Sequence, residues 1–165
     1  PYPGGPAISR VAEHGDPTAY AFPRSFLHEP DKLQFSFSGL KTAVRYQIVG
    51  PGKTDFRDVQ LSEQQVADLA ASFEAAVVDC LTAKARQAIC QTGLRRLCVG
   101  GGVAANRRFR TSLEAAAEDD GFELHIAPLK LCTDNAVMGA IAIERLRAGL
   151  VEPLDLKIQP GLERA

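Results

Sequence analysis

The residues with the most chemical potential close a short apolar run: Arg96-Leu97-Cys98-Val99-Gly100-Gly101-Gly102-Val103-Ala104-Ala105-Asn106. Three glycines after a buried strand let the backbone approach a ligand closely and adopt positive φ. A helix starting just beyond them offers unpaired N–H groups and a partial positive charge, which together suit a phosphate or the sugar-phosphate edge of a nucleotide. Asn106 is expected in the first turn of that helix, where its amide can bond a ribose hydroxyl or a base. Two common nucleotide motifs are excluded. No G-x-x-x-x-G-K-[ST] is present. The Gly100-x-Gly102 start of a dinucleotide fingerprint meets Ala105 where the third glycine belongs, and Glu123 lies within the next strand instead of closing it. A tight β-α turn without a ligand fits the same residues.

A second group is Leu131-Cys132-Thr133-Asp134-Asn135-Ala136, just before an apolar helical stretch. Thr133 suits an N-cap and Asp134 a favourable charge in the first turn. Asp134 also suits a metal, but one carboxylate holds a divalent ion weakly, so further ligands must come from elsewhere. His14, His28 and His125 form no H-x-x-x-H pair and read as surface or structural histidines. A third group, Phe35-Ser36-Phe37-Ser38-Gly39-Leu40-Lys41-Thr42, reads as strand, turn and helix start. Lys41 can face a phosphate and Ser38 can cap the helix. No G-x-S-x-G elbow is present, so a serine-nucleophile mechanism has no support. The basic cluster Arg107-Arg108-Phe109-Arg110 fits a solvated helix face or an RNA contact.

These groups need elements to hold them. The longest spans residues 62–91, with Ser62 as N-cap and Gln65 at the capping-box position. Val66, Leu69, Phe73, Val77, Cys80 and Leu81 follow at helical spacing. Thr92-Gly93 ends it. Strands are expected at 33–38, 94–99 and 122–127, and helices at 7–14, 40–48, 104–120 and 133–147, the last of them buried. Tyr2-Pro3-Gly4-Gly5-Pro6 reads as a turn. The order β-α-α-β-α-β-α makes the chain α/β, with helices over a mixed or parallel sheet.

With 165 residues, 45% apolar and 24% charged, the chain has the composition of an ordinary globular domain. A net charge of -1 argues against a broadly basic nucleic-acid-coating surface, though not against a local patch. No apolar run approaches the ~18 residues of a membrane span. Cys80, Cys90, Cys98 and Cys132 show no C-x-x-C spacing and read as buried free thiols of a cytoplasmic protein. The start at Pro1 has no signal-peptide character and reads as a cut inside a longer protein.

Taken in this order, the residues resemble the TsaD family of tRNA threonylcarbamoyl-adenosine transferases, once called O-sialoglycoprotein endopeptidases. The matching stretches are 2–6 (Tyr-Pro-Gly-Gly-Pro), 22–24 (Phe-Pro-Arg), 35–43 (with Ser-Phe-Ser-Gly-Leu-Lys-Thr-Ala), 68–79, 101–106 and 131–136 (with Cys-Thr-Asp-Asn-Ala). The resemblance runs from residue 1 to about 149, leaving 150–165 as a tail that matches poorly. It implies the actin/Hsp70-like ATPase fold, built of RNase H-like lobes with ligand between them, of which this chain is the C-terminal portion. It implies transfer of a threonylcarbamoyl group from its adenylate to the adenosine beside the tRNA anticodon. Gly5, Gly101, Gly102 and Asn106 then belong to the adenylate site. Asp134 is implied as one ligand of a divalent metal, iron or zinc, shared with two histidines of an H-x-x-x-H helix. That helix belongs to an N-terminal half absent here, so the chain is expected to carry about half a site and to be inactive alone. The metal would act as Lewis acid and template, and positioning would supply much of the rate. TsaB-like and TsaE-like partner proteins, tRNA and a cytoplasmic location are further implications, with no membrane association. A metalloprotease and a non-catalytic interaction module are the competing readings. The first lacks an H-E-x-x-H motif here, and the second predicts no nucleotide binding even in the intact protein.

Overall fold

The computed structural model describes residues 3–153 and 155. The chain divides into two compact units, Pro1–Cys132 and Thr133–Ala165. Most of the tail expected at 150–165, and Tyr2 of the opening motif, lie outside the described residues.

The first unit is organised on one long helix. In chain order it contains α1 (Gly4–Ala12), α2 (Ser38–Val49), α3 (Glu63–Thr92), β1 (Arg96–Val99), a 3-10 turn (Gly102–Ala105), α4 (Arg107–Asp120) and β2 (Glu123–Ile126). The expected capping box starts α3: the Ser62 hydroxyl accepts from the Gln65 N–H at 3.2 Å, and the Gln65 side chain accepts from the Ser62 N–H at 2.8 Å. The helix ends as expected at Gly93.

The polar residues of α3 bind the irregular segment that follows α1. Asp68 accepts from the Asp16 N–H at 2.8 Å. The buried Ser72 hydroxyl donates to the Asp16 carbonyl and accepts from the Tyr20 N–H, both at 3.1 Å. Asp79 pairs with Arg24 at 2.7 Å, and the buried Lys84 ammonium donates to the Glu29 carbonyl at 2.9 Å and to Gln87 Oε1 at 2.6 Å. Segment and helix approach so closely that a Cβ on Gly15 would lie 2.0 Å from the Ala67 carbonyl oxygen. A buried cluster of Phe22, Leu40, Leu69 and Ala76 joins this segment, α2 and α3.

β1 and β2 pair in parallel, Leu97 opposite Leu124 and Val99 opposite Ile126, with α4 as the crossover between them. Those four side chains pack against Val78 of α3 and Phe109 and Leu113 of α4. The other face of the pair is exposed and carries Arg96, Cys98, Glu123 and His125. The Arg96 guanidinium, 2.7 Å from Glu123, holds that carboxylate below its usual range, helped by His125 at 2.8 Å. Hydroxyl contact between Thr82 and Ser112 (2.9 Å) and the Arg86–Asp120 pair (2.7 Å) fasten α3 to α4.

The α/β class and the parallel sheet agree with expectation, but four elements differ. Residues 33–38 form no strand. They have no ladder partner among the described residues, and a strand is defined by its ladder. Leu33 and Phe35 stand exposed there, and the Phe35 and Phe37 rings stack at 6.4 Å. The sheet is accordingly a parallel pair among the described residues, not a mixed sheet with helices on both faces. Ser38 is inside α2, whose N-cap Phe37 makes no side-chain cap bond, so Ser38 does not cap the helix. The opening Pro-Gly-Gly-Pro is helical: Pro3 is the N-cap and Gly4–Ala12 is α1. Pro6 fits because first-turn N–H groups have no intrahelical partner to lose.

The second unit departs most. Thr133 caps no helix. Asn135 accepts from the Val137 N–H at 3.0 Å and starts a 3-10 turn, Ala136–Gly139, that leads into α5 (Ala140–Arg147). The helix expected to be buried has no buried residue among those described; Ile141 is 68% exposed and Leu146 67%. Apolar spacing reports that a face wants covering, not that the cover lies in the same chain. No helix of the described residues is long and apolar enough to cross a membrane.

The thiols also split. Cys80 and Cys132 are buried, whereas Cys90 and Cys98 are exposed, so the expectation of four buried thiols holds for half. Burial pushes the Cys80 thiol up, further lowering its reactive thiolate. In the native chain a thiol-specific chromogenic reagent should titrate Cys90 and Cys98 promptly, and all four cysteines only after denaturation. Prompt labelling of Cys80 in native protein would contradict the packing of the 24–30 segment against α3.

Candidate functional site

The glycine turn keeps the conformation its residues suggest. Gly101 sits at φ 88°, ψ 173°, a region that only glycine occupies at ease. Its carbonyl accepts from the Ala104 N–H at 3.0 Å, and the Val103 carbonyl accepts from the Asn106 N–H at 3.0 Å. The N–H groups of Gly102 and Val103, first in the 3-10 turn, have no partner within it by the geometry of such a turn. Gly102 and Val103 are exposed.

Asn106 is not inside the following helix but is its N-cap, at φ -67°, ψ 124°. The chain breaks helical geometry there because the side-chain oxygen takes the Phe109 N–H at 2.8 Å, the standard reward of an N-cap asparagine. The amide nitrogen faces back into the unit and donates to Ser9 Oγ at 2.9 Å and Glu74 Oε1 at 2.6 Å. The Ser9 hydroxyl itself donates to Glu74 Oε1 at 2.6 Å. Three residues far apart in the chain, one from α1, one from α3 and one from the β1–α4 junction, thus meet in one part-buried polar knot.

This knot also locates Gly5. Residues i and i+4 of a helix lie one above the other on one face, a turn of about 5.4 Å apart. Gly5 therefore lies one turn N-terminal to Ser9 on the face directed at Asn106. As a first-turn residue it presents an N–H without an intrahelical partner, and it is exposed, with nothing within 4 Å of where a Cβ would stand. The Gly101–Gly102 turn runs directly into Asn106, and Gly5 stands one helical turn before Ser9, which touches Asn106. Asp134 belongs to the second unit, is exposed and lies in a bend. Among the described residues no three His, Cys, Asp or Glu side chains group as a metal site.

Of the basic cluster, Arg107 and Arg108 are exposed, Phe109 is core, and Arg110 is held by the Ala127 carbonyl and by Cys132 Sγ at 3.3 Å. A recess of about 460 Å³ beside the end of α2, lined by Ile48, Lys53, Asp55, Asp58 and Leu61 among others, contains none of the expected site residues. Sequence reading missed Ser9 and Glu74. The one local hint was a glutamate among the small residues Ser72, Ala75 and Ala76 of α3.

A protein-family model for TsaD, tRNA N6-adenosine threonylcarbamoyltransferase, matches residues 1–141. The chain belongs to the TsaD family. It is similar to the tRNA N6-adenosine threonylcarbamoyltransferase of Rhodopirellula baltica, at 56% identity over 99% of this chain and 48% of that protein. Similar proteins of the same description occur in Methylibium petroleiphilum (51% identity, 90% of this chain, 41% of the relative) and Bordetella pertussis (52%, 92% and 43%). The chain therefore spans about half the length, or less, of these curated relatives. The TsaD match includes all five expected site residues, from Gly5 to Asp134.

Proposed function

We propose that this chain is the C-terminal portion of a tRNA N6-adenosine threonylcarbamoyltransferase, one part of an actin/Hsp70-like nucleotide-binding fold. The observation that carries the reading is the bond from Asn106, at the end of the Gly101–Gly102 turn, to Ser9 of the helix whose first turn holds Gly5, with the first-turn N–H groups of Gly5, Gly102 and Val103 as donors. In the full-length enzyme those donors hold the phosphate of threonylcarbamoyl-adenylate. Asn106 orients the ribose. The N6 amine of the adenosine next to the anticodon attacks the carbamoyl carbon, the bond from that carbon to the phosphate oxygen breaks, AMP leaves, and the amine gives up one proton to solvent. Donors aimed at that leaving phosphate stabilise the charge it gains, and holding both reactants in line accounts for much of the rate. Exposed Arg107 and Arg108 suit contact with the tRNA backbone.

Family resemblance calls for one divalent metal, with Asp134 as a ligand. Asp134 is an exposed carboxylate and belongs to no cluster of three ligands among the described residues, so this chain alone does not fit a tight site. A metal completed by ligands outside the chain would supply Lewis-acid chemistry. In a protein of the relatives' full length, Asp134→Ala should lower metal affinity at least ~10–100-fold, the scale set by even the outer partners of a metal site. In residues 1–165 without metal its thermal transition should barely move, because Asp134 is exposed there. Elemental analysis after dialysis checks this; unchanged metal content would remove Asp134 from the ligand set.

The test of function is transfer of a labelled threonylcarbamoyl group to tRNA by full-length protein with TsaB-like and TsaE-like partners. Modified adenosine is expected from that assembly and none from residues 1–165 alone. No product from the complete assembly would overturn the reading. One observation favours a non-catalytic lobe instead: both Asn106 amide hydrogens are already engaged within the protein. Nucleotide binding by the full-length protein separates the two.

A further inference from the structure

We propose that Glu74 is a positioning residue that orients the Asn106 amide and thereby makes the site select a ligand group that donates a hydrogen bond. The inference rests on the reading of Asn106 as part of the nucleotide site.

An asparagine amide has two donors on nitrogen and two acceptor lone pairs on oxygen. In this chain the two donors face Ser9 Oγ (2.9 Å) and Glu74 Oε1 (2.6 Å). One lone pair takes the Phe109 N–H at 2.8 Å. What remains is a single acceptor position on Oδ1. A flipped amide would point nitrogen at the Phe109 N–H and oxygen at the Glu74 carboxylate, donor against donor and acceptor against acceptor, so the flip is closed off. Phe109 holds the oxygen, and Glu74 sets the direction of the nitrogen. Its Oε1 accepts from Asn106 and from Ser9, both at 2.6 Å, and a carboxylate acceptor makes the stronger bond. Without Glu74 the amide keeps the Phe109 N–H bond but has only the Ser9 hydroxyl on nitrogen, which both donates and accepts, so the amide plane can turn about that bond and the open Oδ1 lone pair loses its direction. A group reaching Asn106 must therefore supply a hydrogen. A ribose hydroxyl does so; a phosphate oxygen or a bare ring nitrogen does not.

The substitutions Glu74→Leu, Glu74→Asp, Glu74→Gln and Asn106→Ala are compared in a chain of the relatives' full length, titrated calorimetrically with ATP and with 2′,3′-dideoxy-ATP. Wild type should prefer ATP by about 5–10-fold, the scale of one neutral hydrogen bond. Glu74→Leu should lose most of that preference, with dideoxy-ATP affinity little changed. Glu74→Gln should keep the preference, because its carbonyl oxygen accepts from both partners. A purely structural role for Glu74 would move both nucleotides together and leave their ratio intact. If Glu74→Leu does not fold, Glu74→Asp, which withdraws the carboxylate by one methylene, should show the same loss of preference. If Asn106→Ala loses the preference while Glu74→Leu and Glu74→Asp retain it, the positioning role is overturned and the site reading stands. Glu74→Gln behaving like Glu74→Leu would also overturn it. If Asn106→Ala binds both nucleotides as wild type does, Asn106 is outside the site, and the site reading fails with the proposal.

Discussion

Replacing Leu113 with alanine should cost the first unit about 3–4 kcal/mol, the upper middle of the range for leucine truncation in a packed core. Leu113 is 0% exposed and stands on α4 where α3, α4 and the strand pair meet. Val78 and Phe109 complete the buried cluster, and Leu97, Val99, Leu124 and Ile126 close it from the sheet side. Truncation removes transfer energy and leaves a void that cannot collapse readily. α3 and α4 are pinned on either side of it by the Thr82–Ser112 contact and the Arg86–Asp120 pair. A domain's whole stability is about 5–15 kcal/mol, so a loss of this size takes a large fraction of it. Urea unfolding followed by circular dichroism measures it. A loss below about 1 kcal/mol would mean that α4 does not pack as described.

Replacing Gly101 with alanine should cost about 1–3 kcal/mol through backbone strain alone. Its φ of 88° lies where L-residues are disfavoured, yet a Cβ there would meet nothing within 4 Å. Space is available and conformation is not. Gly102 provides the control. It has the same open surroundings without a positive φ, so Gly102→Ala should leave stability within about 0.5 kcal/mol of wild type. The turn relaxes its strain only by moving the amides of Gly102 and Val103, so Gly101→Ala should also weaken nucleotide binding in the full-length protein. Equal melting temperatures for Gly101→Ala and Gly102→Ala would contradict the turn geometry.

The features legible in the sequence were those with local causes. The capping box at Ser62 and Gln65, the helix end at Gly93 and the β-α-β passage through the glycine turn each depend on residues within a few positions of one another. Residues 33–38 alternate as a strand does, but a strand also needs a neighbour, which periodicity cannot supply. Apolar spacing at residues 137–146 marked a face to be covered, and that face is open in this chain, which spans about half the length of its curated relatives. The site itself was half legible. Glycines and Asn106 stand in a recognisable string, whereas Glu74 and Ser9 reach Asn106 across 32 and 97 positions, and no local pattern encodes such a bond. The same knot shifted Asn106 from a helical position to a cap, because its side chain is worth more as an acceptor for the Phe109 N–H and a donor to Glu74.

The most direct measurement is hydrogen exchange at the backbone amides of Gly101, Gly102 and Val103, on the subsecond scale, in a chain of the relatives' full length with and without ATP. Nucleotide phosphate seated on the turn should slow exchange at these three positions, with Gly5 slowed alongside them. Unchanged exchange there under saturating nucleotide, with protection elsewhere, would contradict it.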